Sequence, residues 1–281
     1  MLIAQITDLH LGFGGPDGPD HNTSRFKEVI AHLQELSVKP DLLLLTGDLV
    51  ETGQNWAYAR VKQMCDPLNI PTFFTMGNHD DRSAFEAVFN TGLMKDGFLN
   101  YTIDKYDLRI IVLDTLEPGR HGAGFCETRA SWLSERLAEQ SERPTLIVMH
   151  HPPIDTGIGW LTASPDDEWV KRFGKIISGY ENIMRILAGH IHRNIFQRFQ
   201  DTIVTVSHAV APRVSLDLAP IDPHVPDNRI LLSDAKGGYT LHHWNGDVLT
   251  THPVQLPTGD PIVKFDDAHK WVVRHTMDMT E

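Results

Sequence analysis

The sequence predicts an α/β fold with β structure added at its C-terminal end. Two observations carry that expectation. Short apolar runs alternate with stretches of helical periodicity through the first two thirds of the chain, and after about residue 194 paired strand patterns replace the alternation. The first strand is expected at Leu2–Ile6. Phe26, Val29, Ile30, Leu33 and Leu36 then recur at steps of three and four, which gives one apolar helical face. Leu42–Leu45 reads as the second strand. Ala57, Val61, Met64, Cys65 and Leu68 form the next helical face and place Cys65 in the core. Thr72–Thr75, Arg109–Leu113 and Thr145–Met149 follow as strands. Trp169, Val170, Phe173, Ile176 and Ile177 mark a third helix, with Ser164 expected as its cap, Pro165 in its first turn and Asp166, Asp167 and Glu168 against its dipole. Ile183–Leu187 is the last strand of the alternating part. Asn194–Phe199 and Thr202–Ser207 read as a pair around Gln200-Asp201. Pro212 to Asn228, with four prolines, reads as an irregular excursion, and Tyr239–Trp244 and Val248–Val254 flank Asn245-Gly246, a two-residue hairpin signal. The expected division is a catalytic core over residues 1–207 and a C-terminal β extension over 208–281, acting as a cap or a contact between copies.

Composition sets the bounds. The 281 residues are 41 % hydrophobic and 22 % charged, as in a globular chain. No apolar run exceeds four residues, so no membrane span is expected, and Met1-Leu2-Ile3-Ala4-Gln5-Ile6 lacks the pattern of a signal peptide. Two cysteines, Cys65 and Cys126, make no disulfide framework, which fits a reducing cytoplasm. Twenty-five basic against 37 acidic residues give −12, which repels nucleic-acid polymers unless a local patch or metal reverses it. The 16 histidines outnumber the 6 tryptophans and 5 tyrosines together.

The chemistry stands at the strand ends. Leu2–Ile6 runs into Thr7-Asp8-Leu9-His10, and Leu42–Leu45 into Thr46-Gly47-Asp48. Thr72–Thr75 leads to Met76-Gly77-Asn78-His79-Asp80, Thr145–Met149 to His150-His151, and Ile183–Leu187 to Ala188-Gly189-His190-Ile191-His192. Open α/β sheets gather ligands at the carboxyl ends of their strands, so these residues are expected to converge. Gly47, Gly77 and Gly189 are expected to allow tight turns there. A single histidine or a Gly-Asp turn is commonly structural; five such strand ends in one chain are not. Carboxylates, an amide and imidazoles without a thiolate suit Mn, Fe, Zn or Co. The donors exceed one tetrahedral ion, and two ions ~3.5–4 Å apart, bridged by a carboxylate, would use them all. Two divalent ions bring about +4, Asp8 and Asp48 return −2, and a bridging hydroxide leaves roughly +1, so an acidic protein would hold a cationic pocket fit for a phosphate ester. His151, beside His150, is expected to point elsewhere.

Asp8-Leu9-His10, Gly47-Asp48, Gly77-Asn78-His79-Asp80, His150 and Gly189-His190-Ile191-His192 resemble the five signature blocks of the calcineurin-like metallophosphoesterases, in the family's order. The resemblance implies a four-layer αββα sandwich and a dinuclear metal hydrolase. It implies one ion on Asp8, His10, Asp48 and His192, and a second on Asp48, Asn78, His150 and His190. It also implies catalytic roles for His79, near the substrate, and Asp80, as the residue orienting it, with in-line attack by a metal-bound hydroxide. Gly77 to Arg82, Leu113-Asp114-Thr115 running on to Gly119-Arg120-His121, and His150-His151-Pro152-Pro153 are similar to the class III cyclic-nucleotide phosphodiesterases and glycerophosphodiesterase-like enzymes. That similarity implies a small phosphodiester substrate and a homodimer or higher oligomer formed through the C-terminal region. Asn78, His79, Arg120, His121 and His208 are the candidate substrate-binding residues. His242 and His243 are expected on the surface of the hairpin, and Trp160, Trp169 and Trp271 in packing. The rival readings are a phosphomonoesterase or protein phosphatase on the same fold, and a non-catalytic scaffold.

Overall fold

The computed structural model describes residues 1–257, 259 and 263–277. In chain order the elements are β1 (Leu2–Ile6), α1 (His21–Glu35), β2 (Leu42–Thr46), α2 (Asn55–Cys65), β3 (Thr72–Thr75), α3 (Arg82–Phe89), β4 (Tyr101–Ile103), β5 (Arg109–Val112), α4 (Glu127–Glu139) and β6 (Thr145–Val148). They continue with α5 (Glu168–Ile177), β7 (Ile183–Ala188), β8 (Ile195–Phe199), β9 (Thr202–Val206), β10 (Arg213–Val214), β11 (Leu232–Ser233), β12 (Gly238–Trp244), β13 (Leu249–Gln255) and α6 (Lys270–Thr276).

Two sheets form the centre, ordered β13-β12-β1-β2-β3 and β4-β5-β6-β7-β9-β8. β1, β2 and β3 run parallel, as do β5, β6, β7 and β9. Most of their side chains are apolar on both faces because both faces are covered. On β5, Ile110 and Val112 join the core shared with the first sheet, while Ile111 joins the core beneath α4 and α5. Alternation on one buried strand thus serves two interiors, and the layers run helix, sheet, sheet, helix.

The C-terminal hairpin belongs to the first sheet: β12 pairs antiparallel with β1, Leu2 opposite His243 and Gln5 opposite Thr240. Its turn differs from the expected two residues. Trp244 pairs with Leu249, so four residues intervene, and the Asn245 side-chain oxygen accepts from the amides of Asp247 and Val248 at 2.9 and 2.7 Å. Ser164 does not cap the third expected helix. It closes a Pro165 turn by accepting from the Asp166 amide at 3.1 Å, and α5 begins after Asp167. Trp271 is 62 % exposed and is not a packing residue; Trp169 does pack against the core under α5. Cys65 is buried, and burial pushes its thiol up to about 12.

His242 also departs from expectation. It faces the space between the sheets, fully buried, while its neighbour His243 faces out. A hairpin joined to a sandwich has an inner face, and His242 falls on it. Its Nε2–H donates to Gln5 Oε1 at 3.0 Å, and Nδ1 accepts from Thr251 at 3.0 Å. The Gln5 amide nitrogen donates in turn to Thr46 Oγ1 and to the Ala188 carbonyl, which ties the two sheets together.

Loss of water, followed by the charges of Arg185 and His252, pushes His242 down to about 3. The unfolded chain then binds this proton near pH 6.5 while the fold refuses it, so stability is complete above 6.5 and falls as pH drops toward 3. Urea unfolding should show about 2 kcal/mol less stability at pH 5 than at pH 7 from this group. His242→Gln should flatten that pH slope; an unchanged slope would place the acid sensitivity elsewhere.

Candidate metal centre and active-site cleft

The turns after the parallel strands interlock. The Asp8 amide donates to the Gly47 carbonyl at 3.1 Å and the His10 amide to the Asp48 carbonyl at 2.9 Å, while Gly189 N–H reaches the His150 carbonyl at 2.9 Å. Within these turns Asp8, His10, Asp48, His190 and His192 have φ of 53°, 47°, 49°, 72° and 53°. Left-handed backbone is uncommon for residues with a Cβ and costs about 1–3 kcal/mol at each position, and it clusters at functional sites. Gly47 shares that conformation at φ 90°, as a tight turn requires. Gly77 and Gly189 do not. There the demand is space, since a Cβ would come within 2.2 Å of Asp48 Oδ1 at the first and 2.0 Å of Thr7 Oγ1 at the second.

Six of the seven expected metal-ligating residues come together, with Asp8, Asp48 and His150 almost wholly buried, and the seventh, Asn78, precedes His79, whose amide bonds Asp48. In four overlapping trios the donor atoms lie within 4.8 Å of one another: Asp8, His10 and His192; Asp8, Asp48 and His150; His10, Asp48 and His79; and His150, His151 and His190. Asp48 Oδ2 stands 3.2 Å from His150 Nε2 and 3.5 Å from His10 Nε2, and Asp8 Oδ1 stands 3.4 Å from His192 Nε2.

Hydrogen bonds at the back of each ring fix which nitrogen faces the centre. His150 Nδ1–H donates to the Thr46 carbonyl at 2.8 Å, His192 Nδ1–H to the Pro212 carbonyl at 2.7 Å, and His10 Nδ1–H to Glu51 Oε2 at 2.7 Å. Carbonyl and carboxylate oxygens only accept, so the protons sit on Nδ1 and each Nε2 lone pair points inward. The buried Nε2 atoms of His10 and His150, and Asn78 Oδ1, have no hydrogen-bond partner. A lone pair facing a carboxylate oxygen at 3.2 Å requires positive charge between them. Without other cations a proton supplies it. Burial opposes charge on His150, but the Asp48 carboxylate outweighs this and takes the ring up to about 9. Burial likewise disfavours the charged Asp48, yet the facing His150 and His10 hold it well below the carboxylate range. The oxygen and nitrogen donors, their inward lone pairs and the two buried carboxylates fit metal cations.

His79 lies over this centre, its ring 4.5 Å from that of His10. Its Nδ1–H donates to the Glu51 carbonyl at 2.9 Å, and its amide donates to Asp48 Oδ1 at 2.9 Å. Asp80 is therefore not the residue that orients it. The turn sends the Asp80 carboxylate into the interior, where it accepts from the amides of Leu49 and Gly77 and from the Tyr58 hydroxyl, and burial followed by the Asp48 charge raises it to about 7. Glu51, unmarked by any pattern in the sequence, supports both His10 and His79. His121 reaches the centre, its ring 4.8 Å from that of His190. His151 does not line the cleft but packs behind it, its ring 4.6 Å from that of His190; it accepts from the Thr115 hydroxyl at 2.8 Å and holds the His121 carbonyl through Nε2–H at 3.2 Å. Arg120 does not join them. It lines a separate cavity of about 470 Å³ with Glu117 and Arg172. His208 is buried, bonded through Nδ1 to the Ala209 carbonyl, and does not line the cleft. Trp160, expected in packing, lines it instead, in a cleft of about 950 Å³ that also takes in His10, Asp48, His79, His190 and His192.

Comparison with known proteins adds the following. The family model described as calcineurin-like phosphoesterase matches residues 1–194. A probable glycerophosphodiester phosphodiesterase of Arcobacter nitrofigilis is 27 % identical over 265 residues, covering 90 % of this chain and 92 % of that protein. A probable cyclic nucleotide phosphodiesterase of Rhodopseudomonas palustris is 34 % identical over 238 residues, covering 80 % and 84 %. Among solved structures, a dimetal phosphatase from Danio rerio superposes with a TM-score of 0.66 over 91 % of this chain and 96 % of that one, at 11 % identity, a likeness of fold.

A carboxylate behind a metal-bound imidazole typically changes affinity 10–100-fold. Glu51→Gln keeps the carbonyl that holds His79 and removes the negative charge behind His10. Calorimetric titration with Mn²⁺ should show one of two binding events weakened by about that factor, with circular dichroism unchanged. Equal affinities in both proteins would remove Glu51 from the support of the site.

Proposed function

The chain belongs to the calcineurin-like phosphoesterases, and from that membership we propose that it is a dinuclear metal-dependent phosphodiesterase acting on small phosphodiesters of the cyclic-nucleotide or glycerophosphodiester type. The observation that carries the reading is the convergence of Asp8, His10, Asp48, His150, His190 and His192, with the buried Nε2 atoms of His10 and His150 and the Oδ1 of Asn78 left without a protein partner. Asp8, His10, Asp48 and His192 would hold one ion and Asp48, Asn78, His150 and His190 the other, with Asp48 shared. Bound divalent cations supply Lewis-acid charge to a phosphoryl group and make water a nucleophile near neutral pH. Mn, Fe, Zn and Co all suit these donors.

The chain's own residues complete the site. Asn78 contributes a neutral amide where a third carboxylate would cancel the local positive charge. His79, fixed at Nδ1, presents Nε2 to the cleft and is placed to hold a proton against the departing oxygen. His121, its ring 4.8 Å from that of His190 and 6.4 Å from that of His79, would contact the phosphoryl group. Asp80 acts at one remove, by setting the Gly77 turn that carries Asn78 and His79.

The overall charge of −12 disfavours a nucleic-acid polymer and favours a single small diester drawn in by local positive charge. Among the described residues no helix is long and apolar enough to cross a membrane. The two free cysteines suit the cytoplasm. Exposed Leu216, Leu218, Val225 and Ile230 support self-association through residues 208–281.

Asp48→Ala and Asn78→Ala should each lose bound metal, measured by elemental analysis, and at least a hundredfold in turnover of bis(p-nitrophenyl) phosphate. His79→Ala should slow turnover about 10²–10⁴-fold with metal content unchanged. Metal-free protein should be inactive, melt at a lower temperature and recover both properties on adding Mn²⁺. Preference for p-nitrophenyl phosphate or a phosphopeptide over the diester would overturn the assignment in favour of a monoesterase.

A further inference from the structure

The cleft is larger than a phosphoryl group needs. Beyond His79 and His121 its volume of about 950 Å³ is walled by Phe13, Trp160, Leu161, Val214 and Leu232. Phe13 and Trp160 are 74 % and 36 % exposed, so both leave ring surface open beside the cleft they line. Both stand on braced loops. Gly12, beside Phe13, donates to Asp20 Oδ2 at 2.9 Å, and the Arg60 guanidinium holds that carboxylate from the other side at 3.2 Å. The loop bearing Trp160 is closed by Leu161 N–H to the Ile158 carbonyl at 2.8 Å and by the Thr156 amide to Thr162 Oγ1 at 2.6 Å.

The charges on the outer rim are already paired. Arg25 of α1 meets Asp234, and Lys236 meets Glu28 of α1 at 2.7 Å. A second phosphate would compete with Asp234 and Glu28 for these cations. A cationic head group would compete with Arg25 and Lys236 for these acids. A flat uncharged ring competes with neither and covers the exposed aromatic faces.

Taking the phosphodiesterase reading as its base, we infer that Phe13 and Trp160 form a subsite for an uncharged planar ring attached to the phosphodiester. Ring-bearing diesters are thereby preferred over those substituted with glycerol, ethanolamine or choline. The ring-stacking surface is sequence-tolerant by nature, so it selects for a ring and not for one particular ring.

The test compares phenylphosphonate with methylphosphonate as ligands of Mn²⁺-loaded protein, which needs no turnover. The unaltered protein should bind phenylphosphonate about tenfold more tightly, and Phe13→Ala with Trp160→Ala should erase the difference while leaving methylphosphonate affinity unchanged. In kinetics the double variant should raise KM for bis(p-nitrophenyl) phosphate about tenfold with kcat within twofold, and should leave glycerophosphoethanolamine turnover unaltered. Equal affinity for the two phosphonates, or parallel losses with both diesters, overturns the subsite and leaves the phosphodiesterase reading standing. Phenyl selectivity without hydrolysis of either diester keeps the subsite and overturns that reading.

Discussion

Two carboxylates shut away from water facing the same knot of imidazoles govern this protein. Asp8 and Asp48 are 0 % and 2 % exposed, and each accepts backbone amides, His190 N–H for the first and His79 N–H for the second. Amides alone do not balance two buried negative charges. Their neighbours lie within 3.2–3.5 Å with lone pairs directed inward, so the geometry is complete only with positive charge among them. The left-handed backbone at Asp8, His10, Asp48, His190 and His192 follows from the same demand, because ordinary extended residues would carry these side chains past the centre. The two tightly packed cores offset that strain.

The division of labour among the histidines is equally physical. His10, His79, His150 and His192 each spend Nδ1 on a fixed oxygen and keep Nε2 for the cleft. Three of those oxygens are backbone carbonyls, that of Thr46 at the end of β2 and those of Glu51 and Pro212 in loops. The fourth belongs to the Glu51 side chain, and it alone brings charge. The His10 ring therefore differs from its fellows in electron density, an asymmetry that distinguishes the two halves of the centre.

Much of this was readable from the chain. The strands that carry the site are short continuous apolar runs because both faces are covered, and each ends in a polar residue that has no business in such a core. That repetition exposed Asp8, Asp48, Asn78, His150, His190 and His192. Glu51 carries no such mark, because a single polar residue in a loop forms no pattern. Asp80 departs from its expected role because neighbours in sequence diverge in a tight turn, and Arg120 and His121 diverge in the same way into separate cavities. His242 sits on a strand that alternates like any half-exposed hairpin, and only the pairing of β12 with β1 decides which side is interior. Trp160 carries no mark in its neighbours that separates a ring lining a cleft from a ring filling a core.

That pairing reaches into the order of assembly. β1 is the first strand in chain order, yet its partner on one side is β12, and the Met1 nitrogen donates to the carbonyl of Trp244, 243 positions away, at 2.7 Å. Until β12 has been made, a nascent chain holds its first strand as an open edge, with Asp8 at its tip. Contacts of such long sequence separation slow folding. The sheet that carries Asp8 is thus finished only when the late hairpin zips onto the first strand.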